Sequence, residues 1–191
     1  DLGESHTVYS LDQRNHGQSP HNDEFSYKAM AADLDEFIKE HELKDPIIIG
    51  HSMGGKTAMQ YAVEHNPSIK KLIIVDIAPK AYPIHHDQIL EGLSSIDLNK
   101  LKSRTDADEL LSPYVEDIGT RQFLLKNLAR TSDGFAWKIN LPVISTSINK
   151  VGVGLEENEQ YLGDTLFIRG SKSDYILDED NTTLTHHFPN S

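Results

Sequence analysis

The chain has 191 residues, 37% hydrophobic and 25% charged, which suits one soluble globular domain with a substantial core. Its formal charge of -12 at pH 7 opposes nucleic acid and anionic lipid surfaces as partners, and no apolar run approaches the roughly 18 residues that a membrane-crossing helix needs. The lack of cysteine removes disulfides, thiolate catalysis and cysteine-based zinc sites, and it fits a reducing compartment, with the cytoplasm as the expected one.

Taken in order, residues 6–12 read as a short strand, followed by a loop rich in turn formers, Gln13-Arg14-Asn15-His16-Gly17-Gln18-Ser19-Pro20. A helix follows, with Ser26 as N-cap, Phe25 and Met30 stapling its first turn, and Tyr27, Met30, Leu34, Phe37, Ile38 and His41 on a face expected to cover a sheet. Pro46 to Gly50 is the next strand, Gly54 to His65 the next helix, and Lys71 to Asp76 a strand too uniformly apolar to be exposed on either side. This alternation predicts a parallel α/β sheet.

From about Ala78 to Gly163 the rhythm changes to amphipathic helices, expected at 87–96, 106–118 and 120–129, with 135–139 extended and 141–150 helical. Thr165 to Gly170 restores the strand pattern, and 178–187 reads as a helix with acidic residues in its first turn. Residues 1–77 and 164–191 are therefore expected to form the α/β core, with 78–163 as a helical insertion.

The chemistry concentrates at Ile47-Ile48-Ile49-Gly50-His51-Ser52-Met53-Gly54-Gly55, a strand that runs straight into a helix through a Gly-x-Ser-x-Gly turn. So sharp a reversal crowds the positions two residues either side of the serine, which explains Gly50 and Gly54. It leaves the Ser52 hydroxyl exposed at the sheet edge, with amides at the start of the helix aimed at any developing oxyanion. Ser52 is the candidate nucleophile, against the plainer reading of a serine that caps a helix.

Four blocks carry a family resemblance: Asp12 to Pro20, Gly50 to Lys56, Val75-Asp76-Ile77-Ala78-Pro79, and Arg121 to Leu128. In this order they resemble the α/β-hydrolase superfamily, and within it the small esterases of the YbfF type with their eukaryotic mitochondrial relatives. The resemblance implies a lidded serine hydrolase in which 78–163 caps the active site and shapes the acyl pocket. Ser52 would be the nucleophile and the Met53 amide one oxyanion donor. The acid would be Asp76, at the end of the strand that follows the nucleophile helix. The position where most of the superfamily carries the acid is Ser173 here, and Asp174, one residue later, is the alternative only if that turn is shifted. Either carboxylate, at one edge of adjacent parallel strands, could orient an imidazole.

The resemblance also implies that the second oxyanion loop precedes Asp1 and that the catalytic histidine follows Ser191, so the chain reads as a fragment truncated at both ends, and any targeting segment, if one existed, would lie upstream. None of the ten histidines matches the family's base. His51 is expected to point away from Ser52, His16 lies in a turn, and the pairs His85-His86 and His186-His187 lack a carboxylate spaced to complete a metal site. Asp12 and Arg14 are expected to organise their loop, Lys56 to be a surface or packing residue, and Phe123, Leu124, Leu128 and Trp137 to pack onto the main sheet rather than line the acyl pocket. No metal or organic cofactor is expected. The predicted activity is hydrolysis of a small-molecule acyl ester through an acyl-serine intermediate. Acyl transfer or thioester hydrolysis by the same intermediate is the alternative, and a non-catalytic binding protein of the same fold is the competitor. A dehalogenase would need a carboxylate at position 52. Oligomeric state is not legible.

Overall fold

The computed structural model describes residues 2–65, 68–83 and 87–191. In chain order these form α1 (Tyr27–Glu40), β1 (Ile47–His51), α2 (Met53–His65), β2 (Lys71–Val75), α3 (Asp87–Ser95), α4 (Arg104–Leu111), α5 (Ile118–Leu124), β3 (Leu128–Thr131), β4 (Gly134–Trp137), α6 (Leu141–Ser147), β5 (Thr165–Ile168) and α7 (Asn181–His187). Two compact units result, 24–85 with 146–191, and 1–23 with 86–145. These boundaries differ from the expected division in grouping the N-terminal loop with the helical insertion.

The first unit is the α/β one. Ser26, extended at φ -150°, accepts the Ala29 N–H at 3.2 Å and so opens α1 as its sequence predicts. Phe25 and Met30 are both buried beside this cap. The inner face of α1 lies on α2 rather than on a sheet, with the Thr57 hydroxyl 3.8 Å from the Met30 sulfur. The sheet is parallel throughout, ordered β1-β2-β5, with Ile48 opposite Leu72 and Leu72 opposite Thr165.

Strand alternation then sorts the side chains. Leu72 and Ile74 face α2 and bury against Ala58, Met59, Ala62 and Phe188, with Ile48 and Phe167 packed alongside. On the other face Ile47, Ile49, Leu166 and Ile168 are between 40% and 53% exposed. In the 71–76 strand, expected to be hidden on both sides, Leu72 and Ile74 are buried while Ile73 and Val75 on the other face are only half-buried, because among the described residues α2 and the end of α7 supply cover for one face only.

The second unit has its own core, built from Leu93, Leu111, Leu125, Leu128 and Leu141 with their neighbours. Helix α4 starts at a reciprocal cap between Ser103 and Asp106. It stops at Leu111, well before the expected Ile118, because Ser112 and Pro113 lead into a turn that a proline cannot extend as helix. The Asp117 carboxylate accepts the Thr120 N–H to restart the chain as α5. Arg121, buried, fixes the gap between the two helices: it is bidentate to Asp108 at 3.0 and 3.2 Å and also donates to the Val115 and Glu116 carbonyls.

Residues 128 and 129, expected to be helical, instead open an antiparallel hairpin in which Leu128 pairs with Trp137 and Thr131 with Gly134. Residues 6–12 join no ladder, correcting the strand expected there, and Val8, Tyr9 and Leu11 are exposed. The loop that follows is ordered by Asn15, fully buried at φ 67°, whose carbonyl accepts the Asn140 N–H at 2.9 Å. As expected, Asp12 shapes this loop. Its carboxylate accepts the Gln18 N–H at 2.9 Å, and a Cβ at Gly17 would collide with it.

Candidate active site

The turn between β1 and α2 is built by close approach. A Cβ at Gly50 would lie 2.4 Å from the Gly54 carbonyl oxygen, so strand and helix can meet this tightly only through glycine. Gly55 performs the same service toward the sheet, where a Cβ would strike Ile77 at 2.6 Å. Between them Ser52 holds the left-handed region at φ 51°, which costs a non-glycine residue roughly 1–3 kcal/mol. The turn nonetheless stays in register with the sheet. The Ser52 N–H donates to the Val75 carbonyl at 3.0 Å, and the Ser52 carbonyl accepts the Lys56 N–H at 3.1 Å as the first bond of α2.

Ser52 is partly exposed, and Met53 begins α2, whose first-turn amides have no acceptor within the helix. The last rung of the β1–β2 ladder is His51 opposite Val75, so the next residue on each strand, Ser52 and Asp76, stand level at the same sheet edge. Asp76 is also left-handed, at φ 55°, and its N–H donates to the Ile168 carbonyl at 2.7 Å. Its carboxylate accepts the Gly170 N–H at 3.0 Å. That bond, then one from the Ser173 hydroxyl, holds the Asp76 carboxyl below its ordinary value of 3.8 against the opposing effect of burial, with a smaller contribution from His51.

The loop after β5 thus donates hydrogen bonds to Asp76. Asp174 is exposed, while Gly170 and Ser173 on the same turn engage Asp76. The sequence reading missed both partners. The signal was Ser173 itself, a hydroxyl where a superfamily acid is usual and therefore a donor available to a carboxylate elsewhere.

Among the described residues no imidazole hydrogen-bonds Ser52. His51 is exposed, the His16 Nδ1 lies 3.0 Å from the Arg14 carbonyl, and the rings of His186 and His187 bond the Glu157 and Glu159 carbonyls at 2.6 Å each. His85 and His86 lie outside the described residues. Among those described, no three histidine, aspartate or glutamate side chains converge as a metal site. Lys56, expected at a surface or in simple packing, is buried within hydrogen-bonded contact of two carbonyls. Leu124, Leu128 and Trp137, expected to pack onto the main sheet, pack in the core of their own unit instead, and Phe123 is 65% exposed.

A family model described as the alpha/beta hydrolase fold matches residues 1–106. The chain is 34% identical over 188 residues to the mouse sn-1-specific diacylglycerol lipase ABHD11, covering 95% of this chain and 61% of that protein. It is 33% identical over 190 residues to the esterase YbfF of Escherichia coli K12, covering 99% of this chain and 73% of the esterase. A solved esterase from a marine microorganism superposes with a TM-score of 0.89 at 43% identity, over 94% of this chain and 72% of the other. The chain spans about six tenths of the length of the vertebrate relatives it matches. With the parallel sheet, the glycine-flanked serine turn and matches of this identity, the chain belongs to the α/β-hydrolase family, in the branch of the YbfF-type esterases.

Proposed function

We propose that the protein cleaves carboxylic esters of small molecules through an acyl-serine intermediate on Ser52. The observation that carries this reading is the left-handed backbone of Ser52 at the junction of β1 and α2, a strained conformation that an ordinary helix-capping serine has no reason to hold. The Ser52 Oγ attacks the ester carbonyl, the Met53 N–H supports the oxyanion, and the alcohol leaves as the acyl-serine forms. Asp76 orients the imidazole that takes and returns the proton. That imidazole is assigned to none of the described histidines. Water attacking the acyl-serine releases the acid.

The names of the mouse and E. coli relatives, a lipase for the sn-1 ester of diacylglycerol and an esterase, support an acyl ester as the substrate class. No cofactor enters this scheme. Fluorophosphonate labelling tests it. The full-length protein, with the histidine that the resemblance places after Ser191, is expected to take up the probe at Ser52, its Ser52→Ala variant to take up none, and the 191-residue chain alone to show little or no activity. Absence of labelling in the wild type would favour a binding role for the fold. Product analysis with added ethanol distinguishes the outcomes downstream of labelling: free acid alone marks a hydrolase, an ethyl ester an acyltransferase.

A further inference from the structure

After β2 the chain leaves the sheet through residues 78–82, and it returns toward β5 through 151–155. These two segments are bonded to each other, Leu155 N–H to the Pro79 carbonyl and Tyr82 N–H to the Gly152 carbonyl, each at 2.8 Å. They cross so closely that a Cβ at Gly154 would lie 2.8 Å from both the Ala81 nitrogen and the Pro79 oxygen. Lys56 reaches the crossing from α2. Its Nζ donates to the Lys80 carbonyl on the outgoing segment and to the Val153 carbonyl on the returning one, the latter at 2.9 Å. It also lies 5.2 Å from the centre of the Tyr82 ring. The residue is only 4% exposed, and among the described residues no carboxylate pairs with it.

We propose that Lys56 is a positioning residue that fastens both crossing segments, as a pair, to the helix that begins beside Ser52. An aliphatic side chain of similar length would fill the space but leave two buried carbonyls without donors.

The surroundings of Lys56 make the fastening sensitive to pH. On the outgoing segment Lys80 stands 5.4 Å over the same Tyr82 ring and is tied to Asp180, just before α7, at 2.7 Å. Tyr82 itself feels Asp76, Asp180 and Tyr175, and Tyr27 on α1 donates to the Val151 carbonyl at 2.7 Å. Burial, with a smaller contribution from the Lys80 charge, pulls Lys56 from 10.5 down to about 7. When the segments detach and Lys56 meets water, its ordinary value returns. Between about pH 7 and 10.5 the detached state therefore binds a proton that the attached state does not. Detachment is most frequent below about pH 7 and becomes rarer as pH rises through that window. The neutral amine keeps two N–H groups, one for each carbonyl.

Hydrogen exchange of the intact chain, corrected for the intrinsic pH dependence of the amides, reads this directly. In the wild type, protection of the Tyr82 and Leu155 amides is expected to rise by at least about tenfold between roughly pH 7 and pH 9. Lys56→Met is expected to abolish that rise and to lower protection at these two amides by about tenfold near pH 9, with Leu72 in β2 changing less than about threefold. Gly154→Ala, which forces the segments apart while keeping the amine, should lower protection at the same amides and keep the pH dependence. Protection in the wild type that ignores pH, or equal loss at Leu72 in Lys56→Met, would overturn the proposal. If the methionine variant does not fold, Lys56→Gln, a neutral side chain that keeps N–H donors, makes the same comparison and is expected to abolish the pH-dependent rise. Because the readout is backbone opening and not turnover, the result is independent of the role given to Ser52.

Discussion

Ser52 and Asp76 both occupy the left-handed region, at φ 51° and 55°, on neighbouring strands that end at one edge. Such backbone is costly for residues with a Cβ, and glycine relieves it. Ser52→Gly is therefore expected to leave stability unchanged or raise it by up to about 1 kcal/mol, while ending fluorophosphonate labelling. A denaturant midpoint that falls by more than that equivalent would show the hydroxyl to be a packing group. Gly50→Ala has the opposite sign, since its methyl would lie 2.4 Å from the backbone of Gly54. It should destabilise by about 3 kcal/mol or more, measured by urea unfolding.

Asp76 gives a pH test. Its carboxyl is held down chiefly by the Gly170 N–H, so the stability it contributes is present above its ordinary 3.8 and is lost as pH falls through the depressed value. The stability gap between wild type and Asp76→Asn, open near neutrality, should close as the acid titrates. A gap that persists in strong acid would assign the effect to shape rather than charge.

At the level of elements, α1, β1, α2, β2 and β5 were legible because each carries a local pattern that packing reinforces. Ser26 is a cap in sequence and in space, and Ser26→Ala should cost about 1 kcal/mol in a thermal or urea melt. Of the β3–β4 hairpin only the second strand was read, as 135–139 extended; the first was read as helix, although Asp133-Gly134, with Gly134 at φ 133°, is a turn signal between apolar residues. Helical periodicity through Leu124, Leu125 and Leu128 hid it, because the same leucines serve the unit's core in either conformation. The site divides in the same way. Ser52 and its glycines follow from local sterics, whereas the bonds of Asp76 to Gly170 and of Lys56 to Lys80 and Val153 join residues remote in sequence, and no short pattern announces them.

For the molecule as a whole, the exposed side of the sheet has a measurable consequence. Ile47 and Ile49 of β1 and Leu166 and Ile168 of β5 expose apolar side chains on one face of the described sheet, with half-buried Ile73 and Val75 of β2 between them. A surface of this kind promotes self-association. Ile49→Thr with Leu166→Thr should lower dye binding and light scattering of the chain while leaving the Ser52 turn intact. Unchanged scattering would place the sticky surface elsewhere. No described helix is long and apolar enough to cross a membrane.

The order β1-β2-β5 also bears on how the chain reaches this structure. The first pair closes over one helix, but β2 meets β5 only after about 90 intervening residues. Closing so long a flexible loop costs about 4 kcal/mol beyond a constant. The separate leucine core within 86–145 can shorten the effective loop by condensing first. Pulse-labelling during refolding should then find the amides of β1, α2 and the 86–145 core protected early and those of β5 last, with the 165–168 strand docking as the rate-limiting step.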